Sequence, residues 1–100
     1  RYLRQEIFQA VHCCCSYIPG LFEQVDWPDV ACLIAPRPVL IQQGTNDYVP
    51  MPYVEAAVET MRKAYALLGA SERIATDYFD GGHQFSFPPA LSWADRWLAP

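Results

Sequence analysis

The residues predict an α/β chain organised around one strand–helix–strand unit with flanking helices. Three observations carry that reading: a short apolar run at residues 38–43 closed by Gly44, a helical apolar stripe after it, and a β-branched and aromatic run at residues 73–79 closed by Gly81-Gly82. In such a unit the strands are parallel, and the turns leaving their carboxyl ends emerge at one edge of the sheet.

Taken in chain order, residues 2–11 have a helical period, with Leu3, Ile7 and Ala10 on one stripe. That helix is expected to stop before His12 and the consecutive Cys13, Cys14 and Cys15, and Pro19-Gly20 marks a turn. Asp26 is placed to cap a short helix opening at Trp27-Pro28, with Asp29 three residues on as its capping-box partner. The helix is expected to end at Ala35-Pro36. Pro36-Arg37-Pro38 is then a stiff, extended approach to the first strand.

Pro38-Val39-Leu40-Ile41-Gln42-Gln43 has the form of a strand buried on both faces by flanking helices. Beyond Gly44, Pro52 occupies a first helical position, and Val54, Val58, Met61, Tyr65 and Leu68 recur at spacings of four, three, four and three. One apolar stripe results. Glu55 and Glu59 before Arg62 and Lys63 suit the helix dipole, Glu59 and Lys63 form an i,i+4 pair, and Gly69 supplies the stop. Arg73-Ile74-Ala75-Thr76-Asp77-Tyr78-Phe79 reads as the second strand. Pro88-Pro89 opens a last helix whose Ala90, Trp93, Ala94 and Trp97 form a stripe expected to pack on the sheet. There is no repeat, low-complexity segment or internal domain boundary.

The chemistry lies in the two turns. Gly44-Thr45-Asn46-Asp47 follows the first strand and Asp80-Gly81-Gly82-His83 the second. Neighbouring strands lie about 4.8 Å apart, so Asp47 and His83 can come within hydrogen-bond reach. Imidazole, with an unperturbed pKa of about 6.5, takes and returns a proton near neutral pH, and a carboxylate fixes its tautomer and stabilises the imidazolium. Gly81 and Gly82 permit close backbone approach just before the imidazole. Taken singly, an Asp in such a loop serves most often as a turn or cap residue, and a His after Gly-Gly as an ordinary loop residue. Their placement at matching ends of one unit is what favours chemistry.

Ala35-Pro36-Arg37-Pro38-Val39-Leu40-Ile41, then Gly44-x-x-Asp47-x-x-Pro50, then Gly81-Gly82-His83-x-Phe85 and a closing Trp93-Ala94-Asp95-Arg96-Trp97-Leu98 resemble the carboxyl-terminal part of the α/β-hydrolase superfamily. The nearest branch is the acetyl-xylan-esterase-like and dienelactone-hydrolase-like group, and prolyl-oligopeptidase-type peptidases share a similar Asp and His pattern. The likeness covers residues 11–98; it is specific at Asp47 and His83 and loose elsewhere. It implies a mostly parallel α/β-hydrolase sheet, with Asp47 as the acid and His83 as the base of a Ser-Asp-His triad in this superfamily's chain order. It further implies hydrolysis of a small-molecule or carbohydrate ester without metal or organic cofactor.

The nucleophile is the departure. In G-x-S-x-G a Gly stands two positions either side of the nucleophile, because the strained turn tolerates no bulk there. Ser16, Ser71, Ser86 and Ser92 all lack that pair of glycines, as do Cys13, Cys14, Cys15 and Cys32. The nucleophile is therefore expected upstream of Arg1. An α/β sheet is built from units of about 30 or more residues, and only one is visible here, so residues 1–100 are expected to be the carboxyl-terminal part of a single larger domain. Alone, such a piece should be marginally stable. Besides the peptidase, a non-catalytic binding protein of the same fold is an alternative, since fold alone does not fix function.

A net charge of -4 and the lack of any Lys/Arg cluster disfavour nucleic acid and anionic membrane as partners. No apolar stretch approaches the roughly 20 residues that span a bilayer. Four cysteines admit disulfides, but three are consecutive and no pairing with Cys32 follows. Free thiols in a reducing compartment, hence a cytoplasmic location, are the expectation. His12 with its neighbouring cysteines lacks the usual C-x₂₋₄-C loop of a zinc site, so packing is the better reading. Trp27, Trp93 and Trp97 read as packing residues. Tyr48 and Phe85 flank the acid and base and either line an acyl pocket or wall the core.

The 100-residue chain is expected to show no turnover of a small chromogenic acetate ester beyond that of free imidazole. Turnover abolished by His83→Ala would instead place the nucleophile within the chain.

Overall fold

The computed structural model describes residues 18–98. The helix expected over residues 2–11, and His12 with Cys13, Cys14 and Cys15, lie outside the described residues. Pro19 and Gly20 form the expected turn, with Gly20 at a left-handed φ of 78°, and lead into a one-turn helix, α1 (Leu21–Gln24), that the sequence reading did not anticipate. The second short helix, α2 (Trp27–Ala31), starts as expected. Asp26 accepts from the Trp27 N–H at 2.9 Å, and Asp29 accepts from the Asp26 N–H at 2.8 Å, closing a capping box. It does not run on to Ala35: the backbone tightens to a 3₁₀ turn at Cys32–Ile34, and the Ala35-Pro36 peptide is cis.

Strand β1 (Val39–Gly44), helix α3 (Met51–Leu67) and strand β2 (Ile74–Phe79) make the strand–helix–strand unit. The strands pair in parallel, in register from Val39 with Ile74 to Gly44 with Phe79. A 3₁₀ turn at Ser71–Arg73 precedes β2, and helix α4 (Phe87–Leu98) closes the described chain. The result is a small mixed α/β arrangement with a two-stranded parallel sheet.

Paired residues of parallel strands share a face. Arg62 of α3 donates to the Thr76 hydroxyl at 3.3 Å, and the Tyr65 hydroxyl donates to the Arg37 carbonyl just ahead of β1, so α3 covers the face that carries Thr76. The opposite face carries Gln42 and Asp77. The Gln42 amide donates to Asp77 at 2.9 Å and to the Ser86 carbonyl at 2.6 Å, which ties the sheet to the chain entering α4. On α4, Ala90, Trp93, Ala94 and Trp97 form the half-buried face, and the Arg73 guanidinium sits 5.6 Å over the Trp97 ring.

The core centres on the α3 stripe: Val54, Val58, Met61 and Tyr65 are buried, joined by Ala70, whereas Leu68, expected to extend the stripe, caps the end of the helix and is exposed. Strands buried on both faces, as the apolar run suggests, are not what is found. Only Gly44 is buried, and the other strand residues are half-buried or, at Tyr78, exposed. The physical reason is that each strand of a two-stranded sheet has an unpaired edge. The favourable charge placement expected along α3 is not found either. The helix starts at Met51, and neither terminal turn holds a charge of the favourable sign, while the dipole effect fades beyond those turns. The Glu59–Lys63 pair does form, at 3.8 Å, and Gly69 ends the helix at a φ of 65°.

Cys32 is a free thiol that points at the Thr60 carbonyl at 3.8 Å, and burial, then the Asp29 charge, push its pKa up. It is a packing thiol, protonated at neutral pH. Among the described residues no helix is long and apolar enough to cross a membrane.

Burial, then the neighbouring Cys32, raises the Tyr65 hydroxyl above the ordinary phenol value. A raised folded-state pKa contributes stability that is fully present below the unfolded value of about 10 and is lost as pH rises through the folded one. Tyr65→Phe is expected to cost about 0.5–1.5 kcal/mol at neutral pH through the lost bond to Arg37, and to flatten the loss of stability above pH ~10. Urea unfolding across pH 7 to 11 measures both.

Candidate active site

The site forms where the two strands stop. Past the last register pair, the Thr45 N–H donates to the Phe79 carbonyl and the Asn46 N–H to the Gly81 carbonyl, both at 2.9 Å, so the ladder continues into the turns. The Asn46 side-chain amide donates to the Asp80 carboxylate at 2.8 Å. Gly44 lies so close to the second turn that a Cβ there would overlap the carbonyl oxygens of Gly81 and Gly82. This is close approach, not unusual φ: Gly44 takes no left-handed conformation. Glycine is needed because only it leaves room for the facing backbone.

Asp47 and His83 then meet. Asp47 Oδ2 lies 3.0 Å from His83 Nδ1, an ordinary hydrogen-bond length for this pair. Asp47 Oδ1 accepts from the Tyr48 N–H at 2.7 Å, so both carboxylate oxygens are held and the plane of the carboxylate is fixed. A carboxylate can only accept, so Nδ1 is the donor; in the neutral ring the proton sits on Nδ1 and Nε2 keeps its lone pair. Among the described residues, no hydroxyl or thiol bonds to His83 Nε2.

Exposure divides the pair. The Asp47 side chain is 8% exposed and that of His83 71%. The acid is thus rooted under the turn, while the base extends into solvent. A bond with one partner so exposed is weakened by water and salt. The Tyr48 ring lies 4.8 Å from the imidazole, tilted by 38°, and restricts its swing on one side. Phe85 turns elsewhere: it is 57% exposed and meets Phe87 edge-on at 4.7 Å. Of the two aromatics flagged by position, only Tyr48 touches the base.

The structure therefore brings together both candidate residues read from the sequence, at the like ends of parallel strands. What the sequence reading missed is the framework that holds them. Asn46 and Asp80 stood in plain view within the turn motifs, yet nothing in the spacing says that they bond to each other across the two loops. Gln42 and Asp77 had a detectable signal: two polar residues mid-strand, in register partners, on a face that should be apolar. The Gln42 Oε1 atom is buried without a hydrogen-bond partner among the described residues. Among these residues no cluster of three or more His, Cys, Asp or Glu could hold a metal ion.

Compared with protein-family models, curated proteins and solved structures, the chain matches none. The functional reading rests on the geometry just described.

Gly44→Ala is expected to force the turns apart and cost about 1–3 kcal/mol, the range for overpacking a tight site. Gly82→Ala, where an added Cβ meets nothing within 4 Å, should stay within about 0.5 kcal/mol of wild type. Thermal and denaturant unfolding of both variants make the comparison.

Proposed function

We propose that this chain supplies the acid and base of a carboxylic-ester hydrolase of the α/β-hydrolase type, resembling the acetyl-xylan-esterase-like and dienelactone-hydrolase-like branch. One observation carries the reading: a carboxylate held by the Tyr48 N–H through one oxygen meets Nδ1 of an imidazole at 3.0 Å through the other, at the like ends of two parallel strands. Such a base has its second nitrogen available for proton transfer. In the proposed reaction a serine from residues beyond these 100 attacks the ester carbonyl. Nε2 of His83 takes the hydroxyl proton, and Asp47 stabilises the imidazolium. The same proton passes to the leaving alcohol. Water then attacks the acyl-enzyme with His83 again as base, releasing the acid and restoring the serine. The substrate is a small-molecule or carbohydrate ester, and neither nucleic acid nor membrane is a proposed partner.

The exposure of His83 bears on how this chemistry runs. In water-like surroundings the Asp47–His83 interaction is modest, and it strengthens several-fold once substrate or neighbouring protein excludes water from the imidazole. Tyr48, already against the ring, would form one wall of that enclosure.

The test is ester hydrolysis by the polypeptide in which these residues are joined to their nucleophile. Asp47→Asn keeps the shape but holds the imidazole in the wrong tautomer, and the equivalent change in a serine protease costs about 10⁴ in turnover. His83→Ala is expected to cost at least as much, and the double variant little more than His83→Ala, because the two act as a unit. KM should move much less than kcat. Near-wild-type turnover by a folded His83→Ala variant would remove the enzyme reading and favour a non-catalytic binding protein.

A further inference from the structure

We propose that Asn46 is a positioning residue: its side-chain amide, bonded to Asp80, sets the two turns against each other so that Asp47 meets Nδ1 of His83. Asn46 precedes Asp47 by one residue, and Asp80 precedes His83 by three. The Asn46–Asp80 bond spans 34 residues of sequence at 2.8 Å. That is an unusual use of an asparagine in a turn, where the amide more often bonds its own backbone a residue or two away.

The second attachment makes the role specific. The Asn46 backbone N–H donates to the Gly81 carbonyl at 2.9 Å, so one residue grips the facing loop at two adjacent points, Asp80 and Gly81. A single bond fixes a distance; two bonds from one residue also oppose rotation of one turn about the other. Rotation is the freedom that matters for a hydrogen bond between two side chains, because angular error weakens it as surely as distance. The neighbouring Gly44 blocks movement in one direction only, by contact with Gly81 and Gly82, and cannot prevent the turns from drifting apart. The bond to Asp80 also uses a charged acceptor, which makes it stronger than a neutral pair of the same exposure.

The role rests on reading Asp47 and His83 as an acid–base pair, but its test reads the imidazole directly and requires no hydrolysis. In the ¹⁵N-labelled full chain, the two ring nitrogens of His83 report the tautomer by their chemical shifts, at a pH where the ring is neutral. Wild type is expected to hold the Nδ1–H form. Asn46→Ala should shift the tautomer ratio toward Nε2–H by about fivefold, the factor carried by one hydrogen bond of ordinary strength, with the backbone amide spectrum of α3 unchanged. Asn46→Asp sets a second carboxylate against Asp80 and should shift it at least as far. Combining Asn46→Asp with Asp80→Asn exchanges donor and acceptor and should restore the wild-type ratio. An unchanged ratio in Asn46→Ala, or no recovery in the exchanged pair, overturns the proposal. If Asn46→Ala does not fold, the comparison of Asn46→Asp with the exchanged pair decides it. A shifted tautomer here, together with near-wild-type ester turnover by a folded His83→Ala variant of the polypeptide that carries the nucleophile, would uphold the positioning role while sinking the proposed function.

Discussion

Everything at the candidate site depends on how closely two backbones pass. Gly44 ends β1 against the Gly81 and Gly82 carbonyls with no room for a Cβ, and the bonds from Thr45 to Phe79 and from Asn46 to Gly81 carry the ladder past the strands. The turns are therefore an extension of the sheet and inherit its register. Asp47 and His83 need no contact of their own to be neighbours. Their hydrogen bond completes a geometry held by the main-chain bonds and by the Asn46–Asp80 side-chain bond between the turns, and an exposed imidazole is found 3.0 Å from its carboxylate.

The two faces of the sheet are stabilised by different means. On one, the stripe of Val54, Val58, Met61 and Tyr65 supplies burial, and the Tyr65 hydroxyl adds an anchor on the chain that leads into β1. On the other, Gln42, Asp77 and the Ser86 carbonyl make a polar seam. Such a seam contributes less than apolar packing, but it is directional. It fixes the chain at Ser86, three residues after His83, so the loop bearing the base is held at both ends: by the ladder bonds before His83 and by the Gln42 amide after it.

Legibility in the sequence followed the range of the interactions. The Asp26 capping box, the α3 stripe, the Gly69 stop and the Glu59–Lys63 pair are local, set within a few residues, and were read correctly or within a residue or two. The meeting of Asp47 and His83 is non-local, yet parallel topology has so few solutions that the turn motifs sufficed. Sequence reasoning failed where tertiary context overrode a local pattern. The apolar run of β1 suggested burial on both faces, whereas unpaired edges leave it half-exposed. The α2 segment tightened at Cys32 ahead of Pro36, where helical continuation would bring the chain against a proline. The bond between Asn46 and Asp80 has no sequence signature, because a side chain 34 residues away selects it.

The constant offset of β1 and β2 has a kinetic side. Each register pair joins residues 35 apart, as between Gln42 and Asp77, so no rung of the ladder can form without closing a loop of that size. Loop closure must be met in entropy before any rung rewards it, which makes parallel pairing intrinsically slow. Helix α3 changes the terms. Its 17 residues, once helical, span roughly 25 Å as a rod at 1.5 Å per residue, and about half of the loop is then no longer a random chain. In effect the helix splints the sheet: with the rod formed, each rung closes a shorter flexible loop at a lower entropy cost.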